Sequence, residues 1–393
     1  MGLAIMLIVF DTCTKPDYYK DVHKVLAAPT GTLVRYDYER RLWSPDAESV
    51  ADQFSINKKP VPALLVYGQL KSYRKGDPDP QFMLTSDNAI FIPTRISEIV
   101  NVGFESRGNR ARENINIHLR LKDFLDPSFK GLTALVKALE ARGQLPFGNT
   151  KGHKWISKCP DDIEQHKFLE GADENWSLVV DAFASKPSQF VGDVFWRITN
   201  IRAINRRGKS ATLNPKERDT NTFGSINNWH IDFEVDDINR YLAEVQNYIP
   251  GAEDRELPPN AVISAKEDTS KLLVLPERKV SLRRNATEQL KFGVSPIDFL
   301  EKEDAKLIIE TEVDGHEGDY PPGSLVEITL RIAKNRVRLF FSASSAVVGL
   351  IFLAYGGTII KESTMIGIFS IVISTICGYL AGWLYTNRIK IVR

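Results

Sequence analysis

Along most of the chain, apolar and polar residues alternate in short runs, and two long uncharged apolar runs close it. The alternation is clearest where Ile115, Ile117, Leu119 and Leu121 interleave with Asn116, His118, Arg120 and Lys122. A period of two is that of a β-strand with different surroundings on its two faces. The same reading predicts strands over Ala4–Phe10, Gly31–Tyr38, Ala63–Leu70, Ala89–Pro93, Ile99–Glu105 and Asn114–Lys122, with turns marked by Gly76, Pro78, Pro80, Pro93 and Gly108. These strands are expected to form a small barrel or a strongly bent sheet. Leu132, Leu135, Val136 and Leu139 recur at helical spacing and predict a helix over Asp126–Arg142, with Asp126 as a cap and Gly143 as the stop. Further helix is expected within Asp161–Ala184 and over Asp236–Tyr248, and strands over Phe195–Ile204 and Asn228–Val235. From Lys271 to Ile332, five short strand patterns follow at close intervals: Leu272–Leu275, Lys279–Leu282, Gln289–Val294, Lys306–Val313 and Ser324–Ile332. They predict a compact β-sandwich directly before the apolar runs.

Those runs are Leu339–Ile360 and Thr364–Thr386, separated by Lys361 and Glu362 and free of ionisable side chains. About 20 apolar helical residues cross a hydrocarbon core about 30 Å thick, so the pattern predicts a two-helix transmembrane hairpin. Arg331, Lys334, Arg336 and Arg338 precede it, and Arg388, Lys390 and Arg393 follow. Positive flanks stay on the cytoplasmic side. The expectation is a two-pass protein of the inner (plasma) membrane with both termini in the cytoplasm. Phe340, Phe341, Trp383 and Tyr385 fall where amphipathic rings prefer the interface. In the second run Ser370, Ser374, Gly378 and Gly382 recur every four residues; the first carries Ser342, Ser345, Gly349 and Gly356. Small residues let helices approach closely in lipid. The stripes serve either the packing of the two spans on each other or contacts between subunits lining a pore.

The fold class expected is therefore α+β: a β-rich cytosolic region followed by the hairpin. The expected divisions are a β-rich part over 1–125, a mixed helical and strand part over 126–270, a sandwich-like part over 271–335, and spans over 339–360 and 364–386. Gly2–Phe10 is apolar, but it lacks a leading Lys or Arg and meets Asp11 early, so a buried strand fits better than a secretory leader. A formal net charge of +1 gives no global electrostatic argument for nucleic acid or a membrane surface. Cys13, Cys159 and Cys377 are too few and too scattered for a disulfide framework.

No phosphate loop, nucleophile elbow, H-E-x-x-H or C-x-x-C is present. His153, Cys159 and His166 have no zinc-like spacing, and Cys13 with His23 lacks an orienting third group. His230 and Asp232 share one strand face, and with His118 they are the first residues to weigh for a tethered enzyme. The expectation is a protein with no catalytic residue, metal or cofactor. Two basic stretches carry more. Arg107, Arg110 and Arg112 lie between predicted strands, as do Arg202, Arg206, Arg207 and Lys209; arginine forks at such positions suit a phosphate-bearing ligand. Solvated hairpin tips look the same. Arg283 and Arg284 form a smaller cluster, and Tyr36, Tyr38 and Trp43 beside Arg35, Arg40 and Arg41 form an aromatic–basic mixture suited to stacking a base.

The layout of Leu339–Thr386 with its basic flanks behind a large soluble part resembles the membrane effectors of bacterial antiviral systems. That resemblance implies a homo-oligomer in which a cytosolic domain binds a nucleotide or oligonucleotide and controls membrane disruption or ion conduction. The resemblance itself assigns no residue; the small-residue stripes place Ser342, Ser345, Gly349, Ser370, Ser374, Gly378 and Gly382 at the helix interface or pore. The alternatives are a hairpin that only localises a scaffold or binding domain acting with a partner protein, or a tethered enzyme.

Overall fold

A computed structural model describes residues 6–12, 16–57, 59–71, 85–106, 113–128, 130–145, 154–160, 172–173, 175–185, 194–204, 210–212, 233–235, 239–248, 250, 261–267, 272–275, 279–281, 283, 286–296, 303–313, 325–332, 336–359 and 363–386. The architecture is α+β. Among the described residues it comprises a curled, seven-stranded half-barrel sheet, two five-stranded sheets and two C-terminal helices.

The first sheet begins with β1 (Leu7–Thr12), buried along its whole length. α1 (Pro16–Ala27), β2 (Leu33–Glu39), α2 (Pro45–Asn57), β3 (Val61–Leu70), β4 (Ala89–Ser106) and β5 (Glu113–Leu125) follow. α3 (Lys130–Ala141), β6 (Ile156–Lys158), β7 (Ala172–Asp173) and α4 (Trp176–Ala184) complete this part. The strand order is β2-β5-β4-β3-β1-β6, with β7 paired to the end of β5. β1 and β3 run parallel because β2, at the far edge of the sheet, carries the chain back in the opposite direction between them; the other pairs are antiparallel. The predicted strands at 89–93 and 99–105 are one long strand. Pro93 sits inside it, and register shifts lie between Leu65 and Val66, Arg95 and Ser97, and Ile99 and Asn101. Such bulges bend the strand and raise its twist, which curls the sheet as the sequence led one to expect.

Alternation then sorts the faces. Leu7, Val9, Ala63, Leu65, Tyr67, Ile115, Ile117, Leu119 and Leu121 face a core built with α1, α2 and α4. Met6, Ile8, Phe10, Leu64 and Val66 face the opposite way, onto Leu132, Leu135, Val136 and Leu139 of α3. α3 ends as the sequence predicts. Gly143 has φ 64°, its N–H donates to Glu140 O at 2.9 Å, and the Gln144 N–H donates to Leu139 O at 2.8 Å. This is the double bond of a glycine-stopped helix.

The two smaller sheets contain β8 (Phe195–Ile204), β9 (Ser210–Thr212), β10 (Phe233–Val235), β11 (Asn239–Tyr248), β12 (Ala261–Glu267), β13 (Leu272–Leu275), β14 (Lys279–Ser281), β15 (Thr287–Pro296), β16 (Glu303–Val313) and β17 (Leu325–Ile332). Their orders are β10-β17-β16-β12-β14 and β13-β15-β11-β8-β9, and both contribute to one core containing Ile198, Ala243, Leu290, Ala305, Leu307 and Ile328. Ladders join strands on both sides of residue 270. The helix predicted over Asp236–Tyr248 is wrong: Asn239–Tyr248 is a strand paired on both edges, with β8 and with β15. Tyr241, Leu242, Val245 and Tyr248 satisfy a helical spacing, but two complete ladders and burial of Tyr241, Ala243 and Val245 on one side decide for strand. α1 and α4 dock the sandwich on the first sheet. The Trp176 indole N–H donates to Leu26 O at 3.1 Å, the Tyr248 hydroxyl donates to Asp181 at 3.0 Å, and His23 stacks on Phe195 at 4.8 Å.

The last two helices are α5 (Arg336–Ile359) and α6 (Thr364–Thr386). Three residues separate β17 from α5. α6 is long and apolar enough over Thr364–Ala381 to cross a membrane; the matching stretch of α5, Phe340–Tyr355, is shorter.

Candidate functional site

The outer face of the half-barrel is divided. Under α3 it is apolar, whereas across β2, β5 and the second half of β4 it is polar. Register places the side chains in rows. Arg35, His118 and Asn101 form one row; Asp37, Asn116 and Gly103 form the next; Arg120 and Glu98 lie on the far side of the first. Directly opposed residues project to the same face about 4.5–5.5 Å apart, so these rows form a continuous polar ladder. It is not a solvated surface. Arg35 and Asn116 are 5% and 1% exposed, Gly103 is buried, and Asp37 and His118 are half-buried.

The charges are mostly matched within the ladder. Nε and Nη2 of Arg35 both donate to Asp37 Oδ1, at 3.1 and 3.0 Å. Lys122 donates to Glu98, with Arg120 at 3.8 Å from the same carboxylate. Asn116 differs: neither its amide nitrogen nor its amide oxygen has a hydrogen-bond partner. Native proteins leave few buried polar groups in that condition. The ladder thus offers buried charges held in place, a titratable imidazole and an amide with its bonding capacity unspent, which is chemistry for recognising a polar ligand.

Of the expected ligand-binding residues, Arg107, Arg110, Arg112, Arg206, Arg207 and Lys209 lie outside the described residues, as do His153, His166, His230, Asp232 and Cys13. The first three occupy the connection between β4 and β5, whose ends are fixed by the pairing of Ser106 with Glu113. Arg202 lies on β8 and donates to Glu244 on β11. Arg283 is exposed and meets Glu288 at 3.3 Å. Tyr38 and Trp43 are buried in the helix-covered core, with Tyr36 packed against it on the same face of β2, opposite to Arg35. They form no open stacking platform. Cys159 is buried in the α3 core, and no cluster of metal-ligating side chains occurs among the described residues. His118, flagged in the sequence by its place on an alternating strand, is in the ladder. Asn116 was visible in the same alternation but carries no motif.

A second polar group sits on the helix-covered face, at the carboxyl ends of β1 and β3. Asp11 is 5% exposed and opposes Tyr67, whose hydroxyl lies 3.2 Å from that of Tyr36. Burial raises the Asp11 carboxyl well above 3.8, the nearby Asp21 charge adds to this, and the Thr12 N–H opposes it. A carboxyl raised in the folded state favours folding below its unfolded value and loses that contribution as pH rises through the folded value. Asp11→Asn is therefore expected to stabilise the protein at pH 7 by about 1.4 kcal/mol for each unit of the rise, with the gain vanishing below pH 4. Thermal unfolding of both proteins at the two pH values measures it.

In the C-terminal pair, α5 and α6 pack antiparallel. The Ser342 hydroxyl donates to Ala381 O at 3.1 Å, and a Cβ placed on Gly349 would meet Cys377 Cβ and Ser374 O at 3.3 Å. The buried or half-buried positions Gly367, Ser370, Ser374, Cys377 and Ala381 alternate at spacings of three and four, and so do Ser342, Ser345, Gly349 and Phe352. That is the period of a two-helix seam. Gly378 lies outside it: a Cβ there meets nothing within 4 Å. Gly382 lies on α6, one turn beyond Gly378. Large exposed apolar side chains cover the remaining surface of the pair, among them Phe340, Leu350, Leu353, Ile366, Phe369 and Ile376.

No protein-family model matches the chain, and no curated protein matches it. Among solved structures, the N-terminal domain of PorA is similar over 34% of this chain and 96% of that one, at 11% identity and a TM-score of 0.18. A score that low carries no argument about fold or function.

Proposed function

We propose that the protein is a membrane-anchored receptor: the polar ladder on the half-barrel binds a small polar, anion-bearing ligand, and α5 and α6 hold that domain at the bilayer. The observation that carries the reading is the ladder itself. Arg35, Asp37, Asn116 and His118 are buried or half-buried on a sheet face where no helix contributes to a core cluster among the described residues. A face serving stability alone is better filled with apolar side chains, as on the same sheet under α3. Arg35, Arg120 and Lys122 are matched on this face by Asp37, Glu39 and Glu98, so it holds fixed charges of both signs without a net excess. The connection that contains Arg107, Arg110 and Arg112 in sequence joins two of the ladder's three strands. The anchor rests on the uncovered apolar surface of the helix pair, whose size is unusual for a soluble protein. Both termini on the cytoplasmic side follow from the basic flanks.

Two results test this. Alkaline carbonate washing of membranes should leave the full-length protein in the pellet; release into the wash contradicts the anchor. In thermal unfolding of the detergent-purified full-length protein against a panel of sugar phosphates, nucleotides and carboxylates, at least one compound should raise the midpoint. Ligand at a hundred times its Kd adds about 2.7 kcal/mol. His118→Leu should abolish that shift, and a shift that survives in the variant removes the ladder from the reading.

A homo-oligomeric, ion-conducting effector is the second reading. Gly378 favours it: the small-residue stripe begun at Ser370 and Ser374 leaves the intrachain seam there and opens onto free space. Ligand would then bias two arrangements of the helices through the short β17–α5 connection, which requires different affinities for the two states.

A further inference from the structure

Asn116 lies mid-strand in β5, between Asp37 of β2 and Gly103 of β4. It is 1% exposed, and its Oδ1 and Nδ2 both lack a partner. A carboxamide presents one acceptor and two donor hydrogens side by side. A group complementary to it must offer a donor beside an acceptor on one planar edge. A carboxylate, a phosphate or a sugar phosphate has no such edge. Adenine has one, its 6-amino group beside N7, and asparagine pairs with it through two hydrogen bonds. On that same N7 edge inosine carries an oxygen in place of the amino group and presents two acceptors, leaving the asparagine donor matched and its acceptor stranded; its N1–H lies on the other edge. Gly103 adds no side chain to the row, and Asp37 and Arg35 tie each other down on the β2 side. Resting on the receptor reading above, we propose that Asn116 is the specificity-determining residue of the ladder and reads the donor–acceptor edge of an adenine-type base.

The test is calorimetric titration of the detergent-purified full-length protein with AMP, IMP and ribose 5-phosphate. The wild type should bind AMP at least tenfold more tightly than the other two, because a site that loses a buried hydrogen-bond partner discriminates strongly. Asn116→Leu should bring AMP down to the level of ribose 5-phosphate. It should unfold no earlier than the wild type, since an apolar side chain of similar size replaces an unpaired amide. Asn116→Asp, which offers acceptors only when ionised, should lose the preference for AMP in the same way. Equal binding of AMP and IMP by the wild type, or a preference retained in Asn116→Leu, overturns the assignment and leaves the receptor reading standing. Failure of all three compounds to bind also overturns it; the receptor reading falls with it only if the wider thermal panel is silent too.

Discussion

Replacing Arg95 with methionine is expected to cost about 3–5 kcal/mol of stability, because it strips the donor from three backbone carbonyls and each buried polar group left unpaired costs about 1–3 kcal/mol. Arg95 is fully buried on the bulged segment of β4 and points to the helix-covered face. Its Nε donates to Lys122 O at 2.7 Å, Nη1 donates to Val25 O at 3.2 Å and Ala28 O at 2.7 Å, and Nη2 donates to Thr30 Oγ1 at 3.2 Å. The guanidinium also sits 4.2 Å from the centre of the Phe124 ring. It therefore fastens the C-terminal end of α1 to the sheet, where helix carbonyls lack partners of their own. Burial pulls it down to about 9, with Asp123 drawing it up again and Arg197 pushing it further down. It remains protonated at neutral pH. Methionine preserves most of the volume but leaves three backbone carbonyls without donors. Lysine, a single point donor, cannot span acceptors on α1 and β5 together. Chemical unfolding of wild type, Arg95→Met and Arg95→Lys should rank them in the order wild type, Lys, Met. A methionine variant as stable as the wild type would remove the guanidinium from the account of how α1 is held.

The second large effect belongs to the helix pair. Gly349→Leu should separate α5 from α6, because its Cβ already falls 3.3 Å from Cys377 Cβ and Ser374 O before the rest of the side chain is placed. Overpacking of this kind costs about 1–3 kcal/mol where neighbours can shift, and more here, since one of the opposing atoms is backbone. Gly378→Leu is the matched control: its Cβ meets nothing. Cysteine pairs introduced at Ser342 and Ala381 should crosslink in the wild type and in Gly378→Leu, and should fail in Gly349→Leu. The mass of each purified protein, corrected for detergent, then reads the oligomer. A wild-type oligomer reduced to monomer by Gly378→Leu supports the effector reading, and one unchanged by it leaves Gly378 without a part in assembly.

Much of this architecture was legible in the pattern of residues. Ile115 through Lys122 announced a strand with two unlike faces, and both faces are as the alternation implied: a buried apolar row and a polar ladder. Gly143 announced the end of α3. The strands of the sandwich from β13 to β17 were placed to within a few residues, because each is short, alternating and bounded by turn residues. Elsewhere the local signal underdetermined the answer. α1 and α2 were read as part of a strand-rich region, although Tyr18, Val22, Val25 and Leu26 in the one and Ala47, Val50, Ala51 and Phe54 in the other recur at helical spacing; both stripes are short and lie between strong strand patterns. β11 carries apolar residues compatible with either period, and only its two partner strands decide between them. In α6 the every-four stripe was a near miss for the true seam, which alternates three and four and so includes Gly367, Cys377 and Ala381 while excluding Gly378. The site was half legible: His118 stood out as a titratable residue on an alternating strand. Asn116 matters through burial and the lack of a partner, and neither quantity exists until the chain is folded. Arg95 was silent for the same reason, being one arginine among many until the bulge turns it inward.

The most direct test of the central claim is hydrogen exchange of the full-length protein in lipid nanodiscs, with and without the compound of the thermal panel that raises the unfolding midpoint most. The account expects ligand to slow exchange across 33–39, 95–106 and 113–121, the three strands of the polar ladder, and to leave the ladders of β11 and β16 unchanged. Protection confined to the sandwich, or none anywhere, would contradict the ladder as the binding face.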